Sequence, residues 1–205
     1  MYQLYYADGS ASMGIRVILE EIGVPYELIQ STIDMSKPRP LEQIAVNPNG
    51  WLPVLIGDTK IYEAVAITIF LCDKHPSAKL APNVEDSARG VYLQTLVYFS
   101  SSIQNAFQLN YYPDRFTESE REFSATMRRG IRRLTETWRV IDNQIGDSKW
   151  VLGDNFSAVD IYLFMLTTWL KDSRDHPSVH TFPNVKRIAD NVRLRPATQR
   201  VYGSS

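Results

Sequence analysis

An α/β domain followed by an all-helical domain is encoded in this chain of 205 residues. Three observations lead there. Short strand-like and helix-like segments alternate through roughly the first 75 residues, the pattern of a small α/β sandwich. An aperiodic stretch with two prolines, His75 to Glu85, then interrupts the chain. Beyond it only helical periodicity appears.

Tyr2 to Tyr6 (YQLYY) is rich in β-formers and stops at Asp8, Gly9 and Ser10. A helix is predicted from Ser12, because Ile15, Ile18, Leu19 and Ile22 recur at i, i+3, i+4 and i+7. Gly23 ends it and Pro25 follows. Tyr26 to Gln30 reads as a second strand, and a second helix precedes the third. Val54 to Ile56 and Lys60 to Tyr62 flank Gly57-Asp58-Thr59, a hairpin signal. Ala64 to Cys72 is apolar enough for a buried helix, which completes the order β-α-β-α-β-β-α.

Past the linker, Phe123, Met127, Ile131, Leu134, Trp138, Ile141 and Ile145 step by three or four residues. They predict a long amphipathic helix within 118–146. Residues 158–170 are apolar nearly all round, so that helix is expected at the centre of its domain, with Ser157 and Asp160 as its capping pair. Val185 to Val192 gives another amphipathic helix, and Pro196 reads as a late break.

The composition is that of a globular protein: 44% apolar, 22% charged, net charge −1. The charge is unevenly spread, with 6 basic against 11 acidic residues through position 86 and 16 against 12 after it. Opposite signs fit two domains, and the interleaved acids argue against nucleic-acid binding. A single cysteine, Cys72, excludes an intrachain disulfide framework and a Cys-rich zinc site. His176 and His180 are separated by Pro177 and lack the HExxH carboxylate, so no metal site is expected. No long apolar run suits a membrane span, and MYQLYYADGS lacks the regions of a secretory signal. A cytoplasmic protein without membrane partners is expected.

The chemistry is concentrated in Asn47-Pro48-Asn49-Gly50-Trp51-Leu52-Pro53-Val54-Leu55 and Tyr62-Glu63-Ala64-Val65-Ala66-Ile67. A proline at the mouth of a strand interrupts the ladder. A cis Leu52–Pro53 bond would turn the chain so that Leu52 presents free backbone groups to an extended peptide. Glu63, at the start of the next helix, can bind an ammonium, while N–H groups of that helix end can bind a carboxylate. Helix-start electrostatics would explain Glu63 alone equally well. Together these features suit a small peptide.

The order of strand, Ser/Gly loop, helix, NPxGxLPVL, YExxAI, linker, long helices and the capped SAVDIYLF helix resembles the cytosolic glutathione transferase family over nearly the whole chain. The bacterial beta class is nearest in spacing. The resemblance implies a thioredoxin-like glutathione-binding domain over 1–76, a linker over 77–86, and an all-helical domain over 87–205 that contributes the electrophile site. It also implies a homodimer, a detoxifying role, and glutathione as co-substrate without a metal. Carried onto this sequence, Leu52 would pair with the cysteinyl backbone of glutathione and Pro53 would be the cis proline. Glu63 and Ala64 would hold the γ-glutamyl end, and Lys37 the glycyl carboxylate.

Several positions depart from the pattern. The usual Glu-Ser pair is Glu63-Ala64. The beta-class cysteine position holds Ala11, and a His and an Asn of that class are replaced by Gln104 and Val97. Gln104 stays a candidate glutathione contact. Thiolate stabilisation then falls to Ser12, Ser10 or Tyr6, with Ser12 preferred because it opens the first helix, and each has an ordinary alternative as helix cap, turn residue or strand residue. Phe107, Tyr111 and Tyr112 are candidate apolar walls for a second substrate, or core residues. The expected activity is conjugation of the glutathione thiolate to an electrophilic, largely apolar small molecule. The alternatives are a glutathione- or apolar-ligand-binding protein with little turnover, and a glutathione-dependent peroxidase.

Overall fold

The computed structural model describes residues 1–203. By contacts the chain divides into two compact units, Met1–Asn83 with the segment from Arg193 onward, and Val84–Val192.

The first unit holds β1 (Tyr2–Tyr6), α1 (Ser12–Ile22), β2 (Tyr26–Gln30), α2 (Leu41–Val46), β3 (Val54–Ile56), β4 (Lys60–Tyr62) and α3 (Ala64–Lys74). The sheet order is β2-β1-β3-β4, with β1 parallel to β2 and the other pairs antiparallel. Leu4, Val54 and Leu55 of the sheet and Ile15, Val17, Ile18 and Leu19 of α1 have at most 1% of their surface exposed, so they form the core of this unit. Burial of each such side chain contributes about 1.5–3 kcal/mol. Gly23 ends α1 at φ 77°, with its N–H on the Leu19 carbonyl.

In the second unit α4 (Ala88–Tyr98), a π-helical segment (Phe99–Gln104) and α5 (Asn105–Tyr111) run on without a break. They are followed by α6 (Phe123–Ile145), α7 (Ala158–Thr167) and α8 (Pro183–Arg193). Every residue of α7 from Ala158 to Leu166 is buried, as its uniform apolarity predicts. Ser157 and Asp160 form the capping box. The α5–α6 contact is close enough that a Cβ on Gly130 would lie 2.9 Å from the Ala106 carbonyl oxygen. On α6, Leu134, Trp138, Ile141 and Ile145 are buried, but Phe123, Met127 and Ile131 are only half-buried.

Two features differ from the sequence reading. Pro196 does not break the chain but opens a further helix, α9 (Pro196–Tyr202), at its first position. A proline there removes only an N–H that no intrahelical carbonyl would accept. That helix, although its sequence position falls in the 87–205 stretch, groups with the N-terminal unit. It is fastened to α1 by Arg195 on Glu21 and Arg200 on Glu20, each at 2.6 Å.

Candidate functional site

Sheet register brings the distinctive residues of the first unit to one end. Tyr5 pairs with Val54 and Val54 with Tyr62, so the exit of β1, Pro53 before β3, and Glu63 after β4 lie side by side. The Ser31 N–H donates to the Tyr6 carbonyl at 2.8 Å, which starts the loop after β2 at the same end.

The Leu52–Pro53 peptide is cis, as expected from the sequence. Leu52 is half-buried and lies outside the β3 ladder. Its backbone N–H and C=O make no hydrogen bond to any described residue. Glu63 has φ 74°, a conformation that favours glycine, and its carboxylate is exposed without a cap bond. Strain of this kind costs about 1–3 kcal/mol and persists where the surroundings enforce it. The first bond of α3 is Ile67 N–H to the Glu63 carbonyl, so the N–H groups of Ala64, Val65 and Ala66 open the helix unpaired. Ala64 itself is buried.

Two buried polar side chains shape this loop, Asn47 of the NPxGxLP motif and Gln43, which has no mark in the sequence. Gln43, 2% exposed, donates from Nε2 to the Thr32 and Gly50 carbonyls at 2.9 and 2.8 Å and accepts the Thr32 N–H at 3.2 Å. Asn47 donates to the Trp51 carbonyl at 2.9 Å and accepts the Asn49 N–H at 3.1 Å. Arg39 donates to the Thr32, Ile33 and Asp34 carbonyls and lies against Gly50, whose φ is 62°. Only the Asn of NPxGxLP was a sequence signal for any of this.

The three hydroxyl candidates are already engaged. Ser12 is the first residue of α1 rather than its cap, since Ala11 holds that position. Its Oγ has no exposed surface around it and accepts the Ala7 N–H at 3.2 Å. Ser10 donates to the Ala7 carbonyl at 2.8 Å and lies 2.6 Å from the Ser12 Oγ. Tyr6 donates to the Asp8 carboxylate, with the Arg16 guanidinium 5.6 Å over its ring. The Asp8 bond, aided by burial, raises the Tyr6 pKa and keeps its proton in place.

Lys37 is exposed in the loop before α2. Gln104 lies in the other unit, where its Oε1 accepts the Tyr162 hydroxyl at 2.7 Å. Val97 is exposed. Phe107 is 1% exposed and stacks edge-on with Trp169 and His176, so it belongs to the core. The Tyr111 hydroxyl is fixed on the Trp169 carbonyl. His176 is buried, with Nδ1 accepting the Lys171 N–H and Nε2 on Asn110. Cys72 is buried. Among the described residues, no group of three or more His, Cys, Asp or Glu could hold a metal. No described helix is long and apolar enough to cross a membrane.

A four-stranded mixed sheet with a cis-proline loop, joined in sequence to an all-helical unit with a capped central helix, defines a protein of the glutathione transferase fold. Residues 124–190 match the family described as glutathione S-transferase, C-terminal domain. The chain is 29% identical to glutathione S-transferase GstA of Escherichia coli O157:H7, with 82% of this chain and 81% of that protein covered. It is 25% identical to the disulfide-bond oxidoreductase YfcG of Escherichia coli K12, over 97% and 93% of the two. Among solved structures it resembles a Sulfitobacter glutathione transferase homologue with bound glutathione (TM-score 0.88, 23% identity, 98% and 97% covered). It also resembles BphK, a bacterial transferase (0.82, 26%, 97% and 96%). The chain is thus similar to glutathione S-transferases over most of its length, and residues 124–190 match the C-terminal domain of that family.

Proposed function

We propose that this chain is a glutathione transferase, joining the glutathione thiolate to an electrophilic, largely apolar small molecule. The observation that carries the reading is the convergence of Leu52's unpaired backbone groups, the exposed Glu63 carboxylate and the open N–H groups of α3 at one end of the sheet. An extended tripeptide can add to the Leu52 edge. Its γ-glutamyl ammonium meets Glu63, and its α-carboxylate meets the N–H groups from Ala64 onward. Pro53 shapes the edge. Lys37 is assigned to the glycyl carboxylate, and Gln104 is kept as a proposed glutathione contact.

A free thiol has a pKa of about 8.5, so donors at the sulfur are needed to hold a thiolate at neutral pH. The start of α1 is the assigned region. Ser10 is preferred over Ser12, because Ser12 has no exposed surface and already accepts the Ala7 N–H. Tyr6 would serve only by leaving Asp8. Holding thiolate and electrophile together then supplies the acceleration, with no covalent intermediate on the protein.

The engagement of all three hydroxyls favours a second reading, a protein that holds glutathione with little turnover. The family resemblance supports a homodimer, a cytoplasmic location and a role in detoxification as parts of this proposal. Calorimetry with glutathione, paired with the rate of chlorodinitrobenzene conjugation, separates the readings. Binding with conjugation supports the transferase, binding without conjugation supports the second reading, and no binding removes both. Light scattering at the elution peak reads the dimer.

A further inference from the structure

The segment 31–40, between β2 and α2, carries two cations, Lys37 and Arg39. The Arg39 guanidinium is directed inward. Its Nη1 donates to the Thr32 and Asp34 carbonyls, each at 3.0 Å, and its Nη2 to the Ile33 carbonyl at 3.3 Å and the Met35 Sδ at 2.8 Å. The Nη hydrogens are thereby all engaged. Lys37 is exposed and makes no hydrogen bond or ion pair with any described residue. Asp34 is exposed in the same turn, its Oδ1 accepting the Ser36 N–H at 2.9 Å and the Ser36 Oγ at 2.7 Å. These Ser36 bonds, and then the Lys37 and Arg39 charges, hold the Asp34 carboxyl below the usual carboxylate range. Asp34 is therefore ionised at neutral pH and offsets Lys37.

This segment flanks the Leu52 edge on the side away from Glu63. The sheet order β2-β1-β3-β4 puts Glu63, after β4, beyond one side of Leu52, and the loop after β2 beyond the other. Gln43 and Arg39 hold that loop against Gly50, next to Trp51 and Leu52 in the chain. An extended tripeptide spans about 10 Å. With its γ-glutamyl end at Glu63, its glycyl end runs out toward 31–40.

We infer that the site selects its thiol by the γ-glutamyl-cysteinyl part and is indifferent to the glycyl carboxylate, so that it accepts γ-glutamyl thiols as a class. The inference rests on the transferase reading of this same site and narrows it. At one end, groups fixed by the backbone do the binding: the Leu52 edge, the opening N–H groups of α3, and Glu63 at its constrained φ. At the other end the free cation is a long, exposed lysine beside an acid. An exposed pair of that kind gains little, because side-chain entropy and water offset most of the attraction. Arg39 cannot supply the missing grip, since turning it outward would strip the Thr32, Ile33 and Asp34 carbonyls of their donor. A thiol without glycine loses nothing at the Leu52 edge. The cysteine carboxylate of γ-glutamylcysteine still offers an oxygen to the Leu52 N–H.

The test is calorimetry on the full chain at low ionic strength, where a contact between charges is strongest. The ligands are glutathione, its glycyl ethyl ester, γ-glutamylcysteine and cysteinylglycine. The ester and γ-glutamylcysteine should bind within ~5-fold of glutathione, the scale of an exposed ion pair. Cysteinylglycine, which lacks the γ-glutamyl end, should bind at least ~10-fold more weakly, the scale of one lost charged contact. Asp34→Asn keeps an oxygen for Ser36 but removes the charge that offsets Lys37, so the preference for glutathione over its ester should widen ~2- to 5-fold. A melting midpoint checks that this variant folds, and the ligand series on the unaltered chain decides without it. A glutathione preference above ~5-fold over the ester or over γ-glutamylcysteine overturns the inference and leaves the transferase reading standing. So does cysteinylglycine bound as tightly as glutathione, or a preference that folded Asp34→Asn leaves unchanged. Binding of none of these thiols removes the transferase reading itself, and the inference with it.

Discussion

Gln43 Nε2 reaches the Gly50 carbonyl oxygen at 2.8 Å from a position only 2% exposed, while the same amide also holds Thr32. One side chain thus ties the loop after β2 to the loop that presents Leu52. Replacing it by leucine leaves the Gly50 and Thr32 groups without their partner. Each unsatisfied buried group costs about 1–3 kcal/mol. Gln43→Leu should lower unfolding free energy by roughly that amount and raise the glutathione Kd. Urea unfolding and calorimetry read the two effects. Undiminished stability would mean that water replaces the amide.

Such a tie was invisible in the sequence for a definable reason. The strands, α1, the hairpin and the uniformly apolar α7 follow from residue periodicity and breakers, which are local. NPxGxLP and YE were legible because they are contiguous. Gln43 pairs with Thr32 and Gly50, eleven and seven residues away, and a glutamine in a six-residue helix carries no mark of its partners. Likewise Ser10 and Ser12 looked free because the Ala7 groups that hold them become neighbours only when the turn closes. Pro196 was ambiguous by its nature, since proline both ends chain segments and starts helices.

Gly50 supplies the second prediction. Its φ is 62°, and an added Cβ would lie 2.8 Å from Arg39 Cγ, an atom near the base of a side chain held by three carbonyls. Gly50→Ala should therefore destabilise the protein by about 1–3 kcal/mol. Arg39→Ala in the same chain should return part of that loss, because it clears the clash but not the backbone strain. A double-mutant cycle in urea measures the difference.

Glu63 separates strain from function. Its φ of 74° favours glycine, and its carboxylate has no cap bond. Glu63→Gly should preserve or raise the melting midpoint, because glycine accepts this backbone without penalty. Glu63→Gln should leave the midpoint unchanged. Both should weaken glutathione binding by at least ~10-fold, the cost of one charged contact. A stable variant with unaltered affinity would remove Glu63 from the site.

Asp160 gives the helical unit a defined pH response. Burial pushes its carboxyl up to about 6, against the opposing effect of hydrogen bonds from Val151 N–H and from Ser157 N–H and Oγ. An unfolded aspartate titrates near 3.9. Between those values the native state holds more of the proton, so unfolding free energy falls as pH rises through the window and levels off above it. Two units correspond to a change on the order of 3 kcal/mol. Asp160→Asn cannot titrate, so the wild-type curve minus the variant curve isolates this group from the others. His176 adds a slope of opposite sign near and below its ordinary value, because burial lowers its pKa and the unfolded chain then binds the extra proton. Since His176 is present in both proteins, the subtraction cancels it. The difference in unfolding free energy should decline from about pH 4 to about pH 6 and then stay flat. A difference curve that rises across that range would mean that the three donors outweigh desolvation and hold Asp160 ionised in the native state.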